Sequence, residues 1–196
     1  MNLPNKLTVS RFALTAAFLA AIFSEIRFHE TIALAFFLAA SITDYYDGMI
    51  ARRDKLITNF GILMDPLADK ILVCSAFIAF VGRDLMPAWM VVVIVARELA
   101  ITGLRLLAAS KNVVLAAEGY GKHKTVSQMV AIISILVQAS HEQWGAWAEG
   151  IFGFRILGTP WMTTFTELSK WLAVMFTAIS GAMYLWRNRH LYLHDL

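Results

Sequence analysis

What most constrains this chain is charge where charge is costly. Four aspartates, Asp44, Asp47, Asp65 and Asp69, fall within two runs of apolar residues long enough to cross a lipid bilayer. Six such runs can be drawn, at 7–26, 31–51, 61–81, 86–108, 124–140 and 165–186, since about 20 apolar residues span the hydrocarbon core. Only 16% of the residues are charged, and the mean hydropathy is +0.62. A soluble domain needs roughly 25% charged residues to cover its surface. The expectation is an all-α integral membrane protein, one bundle of six transmembrane helices in a single domain over 1–196. Lys6 and Arg11 ahead of the apolar run 12–23 imitate a signal peptide. The run reaches back through Leu7 and Val9 and further runs follow, so it reads as a retained first helix.

The cations give the orientation. With six spans, one side holds both termini and carries Lys6, Arg11, Arg52, Arg53, Lys55, Lys111, Lys122, Lys124, Arg187 and Arg189. The other side carries Arg27, Arg83 and Arg155. Positive residues stay inside, which places both termini in the cytoplasm of a multi-pass protein of the cell's inner membrane. The pI near 9.1 does not point to nucleic acid, because the basic residues are scattered between apolar runs. Anionic lipid headgroups are the better partner. A single cysteine, Cys74, excludes an intramolecular disulfide framework. The segment 141–164, with Trp144, Trp147, Phe152, Phe154 and Trp161, suits the headgroup layer. Lys170 is expected to snorkel outward along its helix, and Lys70 to balance the neighbouring acids.

Asp44 and Asp47 are three residues apart, Asp65 and Asp69 four, so each pair shares a helical face. The second run ends on the cytoplasmic side and the third begins there, which sets the pairs at similar depth on antiparallel helices. Four carboxylates in a low-dielectric site repel and take up protons unless neutralised. Two Mg²⁺ ions about 4 Å apart, with Mn²⁺ as a substitute, would match four carboxylates and a substrate's phosphates. Gly48 and Gly61 let a bulky ligand approach the backbone, and Arg52 offers a forked donor to phosphate. Two plainer readings compete: Asp65-Pro66 as a helix N-cap, and Asp47-Gly48 as a turn ending the second helix early. Neither accounts for four same-face acids at one depth.

The stretch from Asp44 to Asp69 resembles the signature of the CDP-alcohol phosphatidyltransferase family, Asp-x2-Asp-Gly-x2-Ala-Arg-x8-Gly-x3-Asp-x3-Asp, at every fixed position. The resemblance implies a six-helix bundle, usually a homodimer, with a polar cavity open to the cytoplasm. It implies that Asp44, Asp47, Asp65 and Asp69 hold two metals, with Asp69 also the general base. Gly48, Ala51, Arg52, Thr58 and Gly61 would line the CDP-diacylglycerol site.

Other residues resemble the branch of the family that uses glycerol 3-phosphate. Asn2-Leu-Pro4-Asn5-Lys-Leu7-Thr8-Val-Ser-Arg11 is similar to its opening, which would bring Asn5, Thr8 and Arg11 near the nucleotide. The Arg97-Glu98 pair, Arg105 and Gly121-Lys122-His-Lys124-Thr125-Val-Ser-Gln128 have counterparts there as well. Arg105, Lys122 and Lys124 suit an anionic acceptor, and Arg97 either joins them or is neutralised by Glu98 or a site aspartate. His123 reads as an interfacial side chain. The implied reaction moves the phosphatidyl group from CDP-diacylglycerol to glycerol 3-phosphate, giving phosphatidylglycerophosphate and CMP. Sister enzymes that use inositol phosphate or serine remain open. A membrane cation transporter also places acids in helices, but no second copy of the aspartate motif is present.

Overall fold

The computed structural model describes residues 3–53, 59–111, 113, 120–156 and 158–193, without the side chains of some of them. Six long helices carry the fold: α1 (Leu3–Ile22), α2 (His29–Arg53), α3 (Asn59–Gly82), α4 (Ala88–Ser110), α5 (Tyr120–Ser140) and, after a short α6 (Ala146–Phe152), α7 (Trp161–Arg187). A short α8 (His190–Leu193) follows. Each of the six expected runs overlaps one long helix. At 1.5 Å per residue, a 20-residue helix such as α1 is roughly 30 Å long, the thickness of a bilayer core. Among the described residues, α7 is the one helix both long enough and apolar enough to cross a membrane by length and composition; the other five long helices are long enough but less uniformly apolar.

The helix ends have local causes. Helix α1 stops at Ile22 rather than continuing to 26, and Ser24 closes it: its hydroxyl and its backbone N–H both donate to the Ala21 carbonyl, at 2.8 and 3.1 Å. Helix α4 starts after Pro87, whose φ of −60° and missing N–H suit that boundary. Helix α2 runs through Asp47-Gly48 to Arg53, so those residues do not form a turn that ends it. Helix α3 begins at Asn59, so Asp65 lies inside the helix and is not its N-cap. Pro66 adds no N–H to the ladder there.

The bundle has an apolar core, but it also exposes large apolar side chains and buries several polar ones. Val92, Leu99 and Leu106, spaced by seven along α4, are each about two-thirds exposed, at 64%, 67% and 67%. That is a continuous apolar stripe on an outer face. Thr8, Arg11, Glu98, Lys124, Gln128, Thr177 and Ser180 are buried. The apolar core joins α1, α2, α3, α4 and α5 around Phe18, Phe37, Phe77, Phe80, Ile94 and Ile132. A second cluster, Ile101, Leu104, Ala108, Tyr184 and Leu191, ties α4 to α7 and α8.

The segment after α5 forms a 3-10 turn (His141–Trp144), α6 and a two-residue antiparallel pair, β1 (Arg155–Ile156) with β2 (Thr159–Pro160). Gly145 joins the turn to α6 at φ 89°, a conformation that favours glycine. Trp144 and Trp147 stack at 6.1 Å, and the Trp144 indole N–H donates to Thr31 Oγ1 at 2.8 Å. The aromatic segment therefore folds back on the start of α2. Lys170 departs from expectation. Its side chain is buried, and its amine pairs with Glu167 at 2.7 Å instead of reaching outward. An acid one turn away supplies what the headgroup layer would otherwise provide.

Candidate active site

The site is built where α1, α2 and α3 meet α4, α5 and α7. Helix α2 carries Asp44 and Asp47, and α3 carries Asp65 and Asp69. The structure describes the side chains of Asp44 and Asp69; Asp47 and Asp65 are placed by backbone alone. Arg11, on α1, is fully buried, and its Nη2 lies 2.9 Å from Asp44 Oδ1. The Asp44 side chain stays 43% exposed, so one of its faces remains open to a ligand. Asp69 lies within electrostatic reach of Asp44, Lys124, Arg11 and Glu98. Five helices therefore bring charge to one region.

Glu98 organises the other half. Its Oε1 accepts from the buried Lys124 amine and from Arg97 Nη1, the latter at 3.3 Å. Arg97 Nη2 donates to Ser180 Oγ at 3.0 Å, and Gln128 Nε2 to Thr177 Oγ1 at 2.9 Å. This network links α4, α5 and α7 through groups that would be costly to bury alone. Gly181 belongs to it through shape: a Cβ there would stand 2.6 Å from Arg97 Cγ, so α7 approaches the arginine stem only because the residue is glycine.

The expected acceptor cations do not all share one point. Arg97 and Lys124 meet on Glu98. Arg105 is exposed and turned to Tyr184, with Nε 3.4 Å from the phenolic oxygen and the guanidinium 5.8 Å from the ring centre. Lys70 donates to Thr102 Oγ1 on α4. Thr8 is buried on α1, one turn before Arg11. Asn5, Gly48, Ala51, Arg52, Gly61 and Lys122 are placed as backbone positions on α1, α2, α3 and α5, while Thr58 lies outside the described residues. His123 is exposed and edges an apolar cleft of about 410 Å³ between α5 and α7, lined by Val126, Val130, Leu168, Leu172 and Phe176 among others.

Sequence reasoning missed the Arg11–Asp44 pair and the Glu98–Lys124 pair. The first joins residues on different helices and leaves no periodic trace. The second had a partial signal in Glu98, an acid within an apolar run that needs a cation.

A helical bundle with exposed apolar side chains, a buried glutamate clasped by cations and the aspartate signature on consecutive helices has the features expected of the phosphatidyltransferase class. The sequence comparison agrees. Residues 1–179 match the CDP-alcohol phosphatidyltransferase family, and the chain belongs to it. It is 40% identical to the CDP-diacylglycerol–glycerol-3-phosphate 3-phosphatidyltransferase of Bacillus subtilis, with 95% of each chain covered. A protein of the same name from Rickettsia felis is 33% identical over 93% of each chain. Another, from Mycoplasma pneumoniae, is 34% identical over 76% of this chain and 62% of that one.

Proposed function

We propose that the chain transfers the phosphatidyl group of CDP-diacylglycerol to glycerol 3-phosphate, releasing CMP and phosphatidylglycerophosphate. The observation that carries this reading is the juxtaposition of the aspartate signature with the Arg97–Glu98–Lys124 cluster, whose buried Glu98 and Lys124 lie within electrostatic reach of Asp69. The names of the related proteins from Bacillus and Rickettsia support the same donor and acceptor.

In this reading six helices cross the inner membrane with both termini and the site on the cytoplasmic side, and the chain works as a homodimer. Burial removes two residues from the positive-inside count, since Arg11 serves Asp44 and Lys124 serves Glu98. Eight cations against three remain, a balance that still favours cytoplasmic termini.

The donor set fits a hard divalent cation: Asp44 offers a half-exposed carboxylate, Asp69 lies near it, and both belong to a four-carboxylate, all-oxygen set. Asp44, Asp47, Asp65 and Asp69 would hold two Mg²⁺ ions. Bound there, the ions would offset the charge of the donor pyrophosphate and of departing CMP. Asp69 takes the proton from the 1-hydroxyl of glycerol 3-phosphate. The freed oxygen attacks the β-phosphorus of CDP-diacylglycerol, and the bond from that phosphorus to the CMP oxygen breaks. Arg97, Lys122 and Lys124 would hold the acceptor's phosphate so that the hydroxyl meets the donor, with Arg105 joining them by turning from Tyr184, and Arg52 would steady the pyrophosphate.

The test is CMP release from CDP-diacylglycerol and Mg²⁺ by purified protein over an acceptor panel. Glycerol 3-phosphate should be used well, and Asp65→Asn should abolish release. Faster turnover with inositol phosphate or serine would reject the acceptor, and near-wild-type turnover by Asp65→Asn would reject the metal reading.

A further inference from the structure

The Arg11–Asp44 pair sets a fixed cation against a carboxylate of the signature. Arg11 is completely buried on α1, whereas Asp44 keeps 43% of its side chain open. We propose that Arg11 is a tethered counter-ion that holds down the divalent-metal affinity of the substrate-free protein. This rests on the metal reading above. The argument is a competition between two effects of opposite sign.

A guanidinium 2.9 Å from a carboxylate oxygen orients that carboxylate, which helps any ligand that binds it. Fixing one side chain in advance is worth about tenfold in affinity at most. Against this stands repulsion. A divalent ion seated on Asp44 at the usual metal–oxygen distance of about 2.1 Å would lie roughly 5 Å from the guanidinium. Even with the screening of bulk water, a double charge and a single charge at that separation repel by more than tenfold in affinity. The buried side of the site screens less, so repulsion prevails.

The electrostatic consequence is coupling between metal and donor lipid. A pyrophosphate arriving at the site brings negative charge that attracts both Arg11 and the metal, so metal is retained best when substrate is present. Removing the arginine leaves no stranded buried acid, because Asp44 is partly exposed. Methionine fills a comparable volume.

The experiment is Mn²⁺ binding to the full-length protein in detergent without substrate, followed by the electron paramagnetic resonance signal of free Mn²⁺. Arg11→Met should bind Mn²⁺ at least tenfold more tightly than wild type. Arg11→Gln, which keeps a hydrogen-bond donor without charge, should also bind more tightly. Arg11→Lys, which keeps the charge, should stay within about threefold of wild type. Unchanged or weaker binding in both neutral variants, against a wild type that binds saturably, overturns the counter-ion role and leaves the metal reading intact. If neither wild type nor any variant binds Mn²⁺ saturably, the metal reading itself falls.

Discussion

The close approach of Gly181 to Arg97 gives a test that depends on packing as well as charge. Gly181→Ala would put a methyl group 2.6 Å from Arg97 Cγ, where no ordinary contact exists. The Cγ atom is near the backbone, so relief requires the whole arginine side chain to rotate or α4 and α7 to separate. Rotation moves the guanidinium away from Ser180, now 3.0 Å from Nη2, and from Glu98. Overpacking of this kind costs about 1–3 kcal/mol, and a lost hydrogen bond to a charged group about 1.5–3 kcal/mol. These overlap, because one displacement causes both, so a total of about 2–3 kcal/mol is expected.

The assay is reversible unfolding in detergent for wild type, Gly181→Ala, Arg97→Ala and the double mutant. Once Arg97 is truncated to alanine, the obstructing Cγ is gone, and the second methyl should cost less than half of what it costs alone. Glu98 keeps Lys124 as its partner in that background, so its charge is not stranded. Additive effects within about 0.5 kcal/mol would mean that the two residues do not share a contact, and would refute the packing argument for the network.

Two further outcomes probe the chemistry. Asp69→Asn should lose turnover by more than it loses CDP-diacylglycerol affinity, as befits a base acting in the chemical step; a parallel fall in both would make it a binding residue only. Lys124→Met should raise the KM for glycerol 3-phosphate about tenfold while the KM for CDP-diacylglycerol barely moves. An unchanged acceptor KM would confine Lys124 to neutralising Glu98.

The helices were legible because a run of about 20 apolar residues can satisfy its backbone in few ways other than a helix. The aspartate pairs were legible for a related reason: spacings of three and four decide a shared face without any tertiary information. What could not be read was the partner of each buried charge. Arg11 and Lys124 sit at the ends of apolar runs, where a count of loop cations takes them for headgroup anchors. Both are buried, one on Asp44 and the other on Glu98. Lys170 misled in the same way, its acid lying one turn back on its own helix. In each case hydropathy registers the cost of placing the cation in an apolar run, and only the packing of helices shows which acid offsets it. Glu98 was the exception in kind: an acid deep in an apolar run demands a cation, and Arg97 beside it was the obvious one. The structure adds Lys124, 26 residues further along the chain on α5, and so turns a local pair into a side-chain clasp between α4 and α5 near Asp69.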